Sequence, residues 1–233
     1  MYKVDNVKFI LGDCLNIEPI DNVGLIITDP PYYVIPKGKT TTKGKDNFTW
    51  DNFKDLDDFL RFTEKWFEKY FNMLNDNSFM YIFWSQKYLL EGLNLFKPSR
   101  TILWHYKNLV LGGNGDFCYD YEPIFVIKKG NPKLKPGKHS SILEFTKPQS
   151  NFKKDKLIHP TQKPLELIKH LISISDFKGK VLDPFGGSGT TSLASTILGY
   201  ESVYIEKEVT IIVLHIEFWT MREIKFFLSL TVV

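Results

Sequence analysis

Cysteine is almost absent from this chain. Two residues, Cys14 and Cys118, provide neither a disulfide framework nor the paired spacing of a zinc site. No apolar run reaches membrane-spanning length. Val209 to Met221 comes nearest, and His215 and Glu217 interrupt it. The opening Met-Tyr-Lys lacks the pattern of a secretory signal, so the cytoplasm, or the nucleoid within it, is the expected setting. Neither sign of charge dominates, and a net +3 is too mild to indicate a nucleic-acid partner on its own. Internal repeats are lacking. So is the strict Gly-x-Gly-x-x-Gly pattern of a dinucleotide site. What remains is an ordinary globular composition, 43% hydrophobic and 24% charged, and 233 residues suffice for one full core.

The distribution of charge says more than its sum. Lys128 to Lys163 holds ten lysines against two acids, Glu144 and Asp155. Lys37, Lys39, Lys43 and Lys45 fall in a Thr- and Gly-rich stretch, 34–52, that has no apolar periodicity and reads as a mobile surface loop. Such runs are solvated faces as readily as phosphate footprints when taken alone. Short apolar runs predict strands at Lys8–Leu11, Val23–Thr28, Phe79–Trp84, Thr101–Tyr106, Ile124–Ile127, Val181–Leu182 and Glu201–Ile205. Helical spacing appears over Leu56–Leu74, about Gln86–Phe96, Pro164–Ile174 and Thr190–Leu198. Lys128 to Leu157 reads as irregular. Strands alternating with helices predict a mostly parallel sheet covered on both faces.

Two of these strands end in an acidic residue followed by proline, at the sheet edge where open α/β folds bind ligands. The later one runs Val181-Leu182-Asp183-Pro184-Phe185-Gly186-Gly187-Ser188-Gly189-Thr190-Thr191 and passes straight into a helix. Glycines there permit a tight turn and close approach of backbone to a ligand, and the helix N–H groups face an anion or carboxylate. Glu206 ends the next strand, where an acid accepts hydrogen bonds from ribose hydroxyls. An acid ahead of the glycines suits a cationic ligand carrying an ammonium group, as S-adenosylmethionine does.

The earlier one ends in Asp29-Pro30-Pro31-Tyr32. The exocyclic amine of adenine or cytosine is a poor nucleophile, because its lone pair is conjugated into the ring. A carboxylate and a backbone carbonyl, here Asp29 Oδ and the Pro30 carbonyl, can grip its two N–H groups and aim the lone pair at a methyl donor. Two prolines stiffen the turn. Tyr32 can stack on a base flipped out of the duplex. No metal is required, since a sulfonium leaving group is already activated.

Together these motifs resemble the β group of DNA amino-methyltransferases, over about Lys8 to Glu206. The order, target clamp first and cofactor loop last, is that group's order. The resemblance implies a circularly permuted class I methyltransferase fold: a Rossmann-like α/β sheet, seven-stranded and mostly parallel, entered at its fourth strand, in a single catalytic domain spanning 1–233. It implies that Asp13, followed by Cys14, accepts the adenine amine of S-adenosylmethionine. It implies that the segment with His159, Thr161 and Lys163 helps hold the methionine carboxylate. Asp183, Phe185, Gly186, Gly187, Ser188, Gly189 and Thr190 then form the cofactor loop and Glu206 the ribose acid, with Asp29, Pro30, Pro31 and Tyr32 as the catalytic turn. Double-stranded DNA is the implied partner, with a homodimer and a cognate restriction endonuclease as further ones. Lys37, Lys39, Lys43, Lys45, Lys133, Lys135 and Lys138 are expected to meet phosphates, and 130–157 is expected to be a short target-recognition segment. Asp at the head of the tetrapeptide leans to adenine N6, with cytosine N4 the alternative. RNA as substrate, protein-glutamine methylation and a non-catalytic DNA-binding relic are the rival readings.

Overall fold

The computed structural model describes residues 2–4, 6–33, 53–108, 120–148 and 162–209. Among them nine strands form one sheet: β1 (Tyr2–Val4), β2 (Val7–Leu11), β3 (Val23–Thr28), β4 (Leu74–Phe83), β5 (Arg100–Tyr106), β6 (Tyr121–Lys129), β7 (Ile142–Phe145), β8 (Lys180–Asp183) and β9 (Ser202–Glu206). Helices α1 (Leu56–Met73), α2 (Leu89–Phe96), α3 (Leu165–Ile174) and α4 (Thr190–Ile197) cover it. The strand order is β1-β2-β9-β8-β3-β4-β6-β5-β7. The seven strands from β2 to β5 in this order are the expected permuted methyltransferase sheet, with β6 antiparallel to both its neighbours. β1 and β7 add one strand at each edge. β2, β9, β8, β3 and β4 take the 3-2-1-4-5 places of a doubly wound sheet. The chain therefore enters at the third place, one strand earlier than expected.

β3 is buried at every position because β4 and β8 flank it and helices cover both its faces. Its side chains do not alternate simply. Val23 and Ile26 pack on the face of α1 and α2, Leu25 and Ile27 on the other. A register shift between Val23 and Leu25 moves the phase. Gly24 sits in that bulge, where a Cβ would lie 2.1 Å from the Lys178 carbonyl oxygen. α1 begins where Asp55 accepts from the Asp58 N–H at 2.8 Å. It turns Phe59, Thr63, Trp66 and Tyr70 inward at helical spacing. The expected helix from Gln86 opens as a 3-10 turn, Gln86–Tyr88, before α2.

The stretch read as irregular from Lys128 needs correction. β6 runs on to Lys129, and Ile142–Phe145 pairs parallel with β5. Only Leu143 of that edge strand is buried, so a four-residue element flanked by Ser141 and Thr146 leaves almost no hydrophobic pattern to read. β1 escaped notice for the same reason. The expected loop 34–52 and the tail after Val209 lie outside the described residues.

Candidate active site

β3 and β8 are parallel neighbours, and the chain leaves them toward opposite halves of the sheet. Their carboxyl ends therefore diverge into a crevice. Thr28, the last residue of β3, closes its floor by donating from Oγ1 to Asp183 Oδ1 at 3.0 Å. A cavity of about 440 Å³ opens above, lined by the turn after β3 and the loop after β8. That volume suits a small organic ligand.

On one side the loop from Asp183 to Gly189 is pinned by β9. Gly186 N–H donates to the Ile205 carbonyl at 2.8 Å, and Tyr204 OH donates to the Gly187 carbonyl at 2.8 Å. A Cβ on Gly186 would meet the Tyr204 ring at 2.3 Å, so only glycine allows this approach. Gly187 and Gly189 take positive φ. Ser188 and Thr190 share a hydroxyl hydrogen bond of 2.9 Å at the start of α4. Phe185 packs edge-on against Trp66 and Phe62, anchoring the loop to α1. Glu206 Oε2 accepts from Gly187 N–H at 2.9 Å, while Oε1 accepts from the N–H groups of Lys207 and Glu208. Asp13 caps the following turn through Leu15 N–H and meets Lys207 Nζ at 3.1 Å. Burial works to raise its pKa, but those two partners outweigh it and hold the carboxyl below its usual value. Asp183 is buried, which pushes its pKa up to about 7 against the hydrogen bonds from Thr191, Phe185 N–H and Thr28. Cys14 also lines the cavity, and burial pushes its thiol up to about 12, which leaves it no nucleophilic character at neutral pH.

Three carboxylates around one hollow, with a glycine cradle and the apolar walls of Phe185 and Phe62, form a donor set for a ligand that is cationic, hydroxylated and partly aromatic. S-adenosylmethionine fits that description.

The other side is built on the turn 29–32. Tyr32 OH reaches Asp29 Oδ1 and also lies 3.0 Å from Glu122 Oε1. Lys163 Nζ donates to Asp29 Oδ2 at 2.6 Å and lies 3.0 Å from Glu122 Oε1. Tyr106 OH donates to Glu122 Oε2 at 3.2 Å. Burial disfavours the Lys163 ammonium, but the charges of Asp29 and Glu122 outweigh it and raise its pKa. Glu122 is raised by burial and by Asp29, with Lys163 pulling the other way. The Tyr32 hydroxyl is pushed well up, first by burial and then by the two carboxylates. The ring of Tyr32 meets Trp84 edge-on.

One residue takes on a new partner set, and one was not foreseen. Lys163, expected beside the methionine carboxylate, lines the same cavity and turns its ammonium to Asp29 and Glu122, the two carboxylates within its reach. Glu122 carried no motif in the sequence. Its only signal was a charged residue at the head of the apolar run Pro123 to Ile127. His159 and Thr161 lie outside the described residues, as do Lys37, Lys39, Lys43 and Lys45.

Lys133, Lys135 and Lys138, expected to meet phosphates, lie apart from Asp29 on the sheet. Asp176 N–H donates to the Lys133 carbonyl and Lys135 N–H to the Ile174 carbonyl, so the segment packs at the end of α3 just ahead of β8. That is the amino edge of the parallel strands, whereas Asp29 sits at their carboxyl edge. β6 runs antiparallel between the two edges, and its seven steps from Glu122 to Lys129 span about 23 Å. Lys129 itself caps the end of α1 through the Phe71 and Leu74 carbonyls. The chain returns to the carboxyl edge along β7. Lys147 then lies exposed over the Tyr106 ring at 5.0 Å.

Comparison with known proteins adds independent findings. A DNA methylase family profile, that of the N6 and N4 enzymes, matches residues 23–215. The type II methyltransferase M.HinfI of Haemophilus influenzae is 28% identical over 229 residues, covering 84% of this chain and 64% of the relative. M.HpaI of Haemophilus parainfluenzae is also 28% identical, with 82% and 66% covered. The chain thus spans a little under two thirds of the length of these relatives. The crystal structure of an M1.HpyAVI–SAM complex superposes with a TM-score of 0.62 at 27% identity, covering 87% of this chain and 94% of that one. The cytosine-N4-specific PvuII DNA methyltransferase, at 16% identity and a TM-score of 0.65, shares the fold.

Proposed function

The chain belongs to the DNA methylase family of N6 and N4 amino-methyltransferases, and we propose that it transfers a methyl group from S-adenosylmethionine to adenine N6 in DNA. The observation that carries this reading is one cavity with Asp29 on one wall and the Asp183–Gly189 loop on the other. When bound, S-adenosylmethionine supplies a methyl group on a sulfonium, which needs no further activation.

In this reading Glu206 accepts from the ribose hydroxyls, Asp13 from the cofactor's adenine amine, and Asp183 faces its ammonium end. Gly186 lets the backbone approach. The side chain of Asp29 and the carbonyl of Pro30 accept the two N–H groups of the target amine. This grip favours a pyramidal nitrogen with its lone pair toward the methyl carbon. Tyr32 holds Asp29 through its hydroxyl and borders the space for a flipped base with its ring. Most of the rate then comes from orienting two bound reactants. The bound cofactor would supply the methyl group, Asp29 and the Pro30 carbonyl would hold the target nitrogen while it gains positive charge, and the proton that nitrogen then sheds would pass to solvent.

Asp29, rather than Ser, at the head of the turn supports adenine over cytosine. The test is direct. The protein is incubated with S-adenosylmethionine and double-stranded DNA, and the nucleosides are separated by mass spectrometry. N6-methyladenine is the expected product. N4-methylcytosine would overturn the choice of base, and an unmodified digest in the presence of bound cofactor would overturn the activity.

A further inference from the structure

Lys163 Nζ occupies the position that the target amine needs. It donates at 2.6 Å to Asp29 Oδ2, the kind of contact a base N–H would make. A neutral amine cannot displace an ammonium from a carboxylate unless the ammonium has another anion to go to. Glu122 Oε1 is that anion, already 3.0 Å from the same Nζ. Its side chain is 13% exposed and that of Lys163 is 9% exposed, so neither charge has water to fall back on.

Among the described residues, the donors to Asp29 and Glu122 are one ammonium and two phenols. Tyr32 OH carries one hydrogen and meets two carboxylates, and Tyr106 OH meets Glu122 from β5. With both carboxylates ionised, Asp29, Glu122 and Lys163 together carry one net negative charge. That charge suits a reaction in which the target nitrogen becomes positive.

We propose that Glu122 is the counter-ion of Lys163: the pair keeps one net negative charge at the amine site, and the ammonium passes from Asp29 to Glu122 as the target base arrives. Glu122 and Lys163 are positioning residues in this account, acting through Asp29. The inference rests on the methyltransferase reading above.

Three variants test it by charge. Glu122→Gln keeps the shape and one acceptor oxygen, turns the other into a donating NH2 that Tyr106 must then accept, and leaves the ammonium with Asp29 alone, for a net charge of zero. Lys163→Met leaves two carboxylates without a cation. Glu122→Gln with Lys163→Met restores the single negative charge. Single-turnover methylation by Glu122→Gln should fall by about 100-fold, in the range for losing one preorganised electrostatic partner. The double variant should regain at least about tenfold over Glu122→Gln, as expected for coupled sites. Calorimetry should find S-adenosylmethionine affinity within a few-fold of wild type in all of them, since the pair lies on the base side.

A merely structural pair would give losses that add or worsen, and a double variant no faster than Glu122→Gln overturns the proposal. So does a large loss of cofactor affinity on Lys163→Met, which would return Lys163 to the cofactor. The comparison of Glu122→Gln with the double variant decides the matter even if Lys163→Met alone does not fold. An active wild type with an unrescued double variant refutes only this inference, whereas a wild type that methylates nothing refutes the functional reading and takes this one with it.

Discussion

At the scale of single residues the proposed reading divides the site into a carboxylate for the substrate and carboxylates for the cofactor, and each predicts a different loss. Asp29→Ala should abolish methyl transfer while cofactor affinity stays within a few-fold, since in the proposed reading Asp29 grips the target amine. Removal of a charge-assisted hydrogen bond that counts in the transition state costs on the order of 3 kcal/mol or more. Near-normal turnover would sink the assignment. Glu206→Ala should leave the chemistry intact and weaken S-adenosylmethionine by roughly 10- to 100-fold, from about 1.5–3 kcal/mol for hydrogen bonds to a charged group. Asp183 adds a pH dependence. Its pKa lies at about 7 because burial favours the neutral form. Below that pH the carboxyl is protonated and offers a cation nothing; above it the carboxylate is formed. Cofactor affinity should therefore rise as pH increases through about 7 and level off beyond, with proton release on binding near neutrality. Calorimetry in buffers of different ionisation enthalpy would reveal the released proton. A flat profile would mean that Asp183 does not face the ammonium.

At the scale of elements, the geometry depends on one strand holding one loop. β9 fixes the cofactor loop through Ile205, Tyr204 and Glu206, and the tolerance at Gly186 is nil because the Tyr204 ring lies against it. Gly186→Ala should push the loop off β9 and lower cofactor affinity by at least tenfold, at about 1.4 kcal/mol per factor of ten. A wild-type dissociation constant in that variant would show that the loop is looser than its contacts imply. α1 adds a second support. Its start is set by Asp55, which caps the N–H of Asp58, a residue that lines the cavity. Asp55→Ala should cost about 1 kcal/mol of stability in a urea titration.

At the scale of the whole molecule, the two edges of the sheet have different work. The carboxyl edge carries Asp29, Glu122, Asp183 and Glu206, and Lys147 stands exposed beside it over Tyr106. Lys133, Lys135 and Lys138 stand at the amino edge. In the proposed reading, DNA that delivers a base to Asp29 lies along the first edge. Replacing Lys147 with Ala should reduce the salt dependence of DNA binding by about one phosphate's worth, while replacing Lys133, Lys135 and Lys138 together should leave it unchanged. A flattened slope in the triple variant would place DNA on the amino edge and overturn this orientation.

The sequence by itself determined the strands that end in Asp29 and Asp183, the glycine loop, the acid at Glu206 and the class of fold, because each is a local pattern. An apolar run followed by Asp-Pro marks a buried strand and its exit, and a glycine cluster before helical spacing marks a ligand turn. Their reversed order along the chain carried the family. Only the tertiary structure decided what depends on strand order and direction. β6 runs antiparallel, so it brings Glu122 at its start beside Asp29 and takes the lysines after its end about 23 Å away. Charge density along a chain carries no information about which edge of a sheet it will reach. Nor does a lone Glu at the head of an apolar run reveal that a lysine from the segment before α3 will meet it. That meeting is a matter of which buried charges the fold brings together and of the counter-ion their desolvation demands.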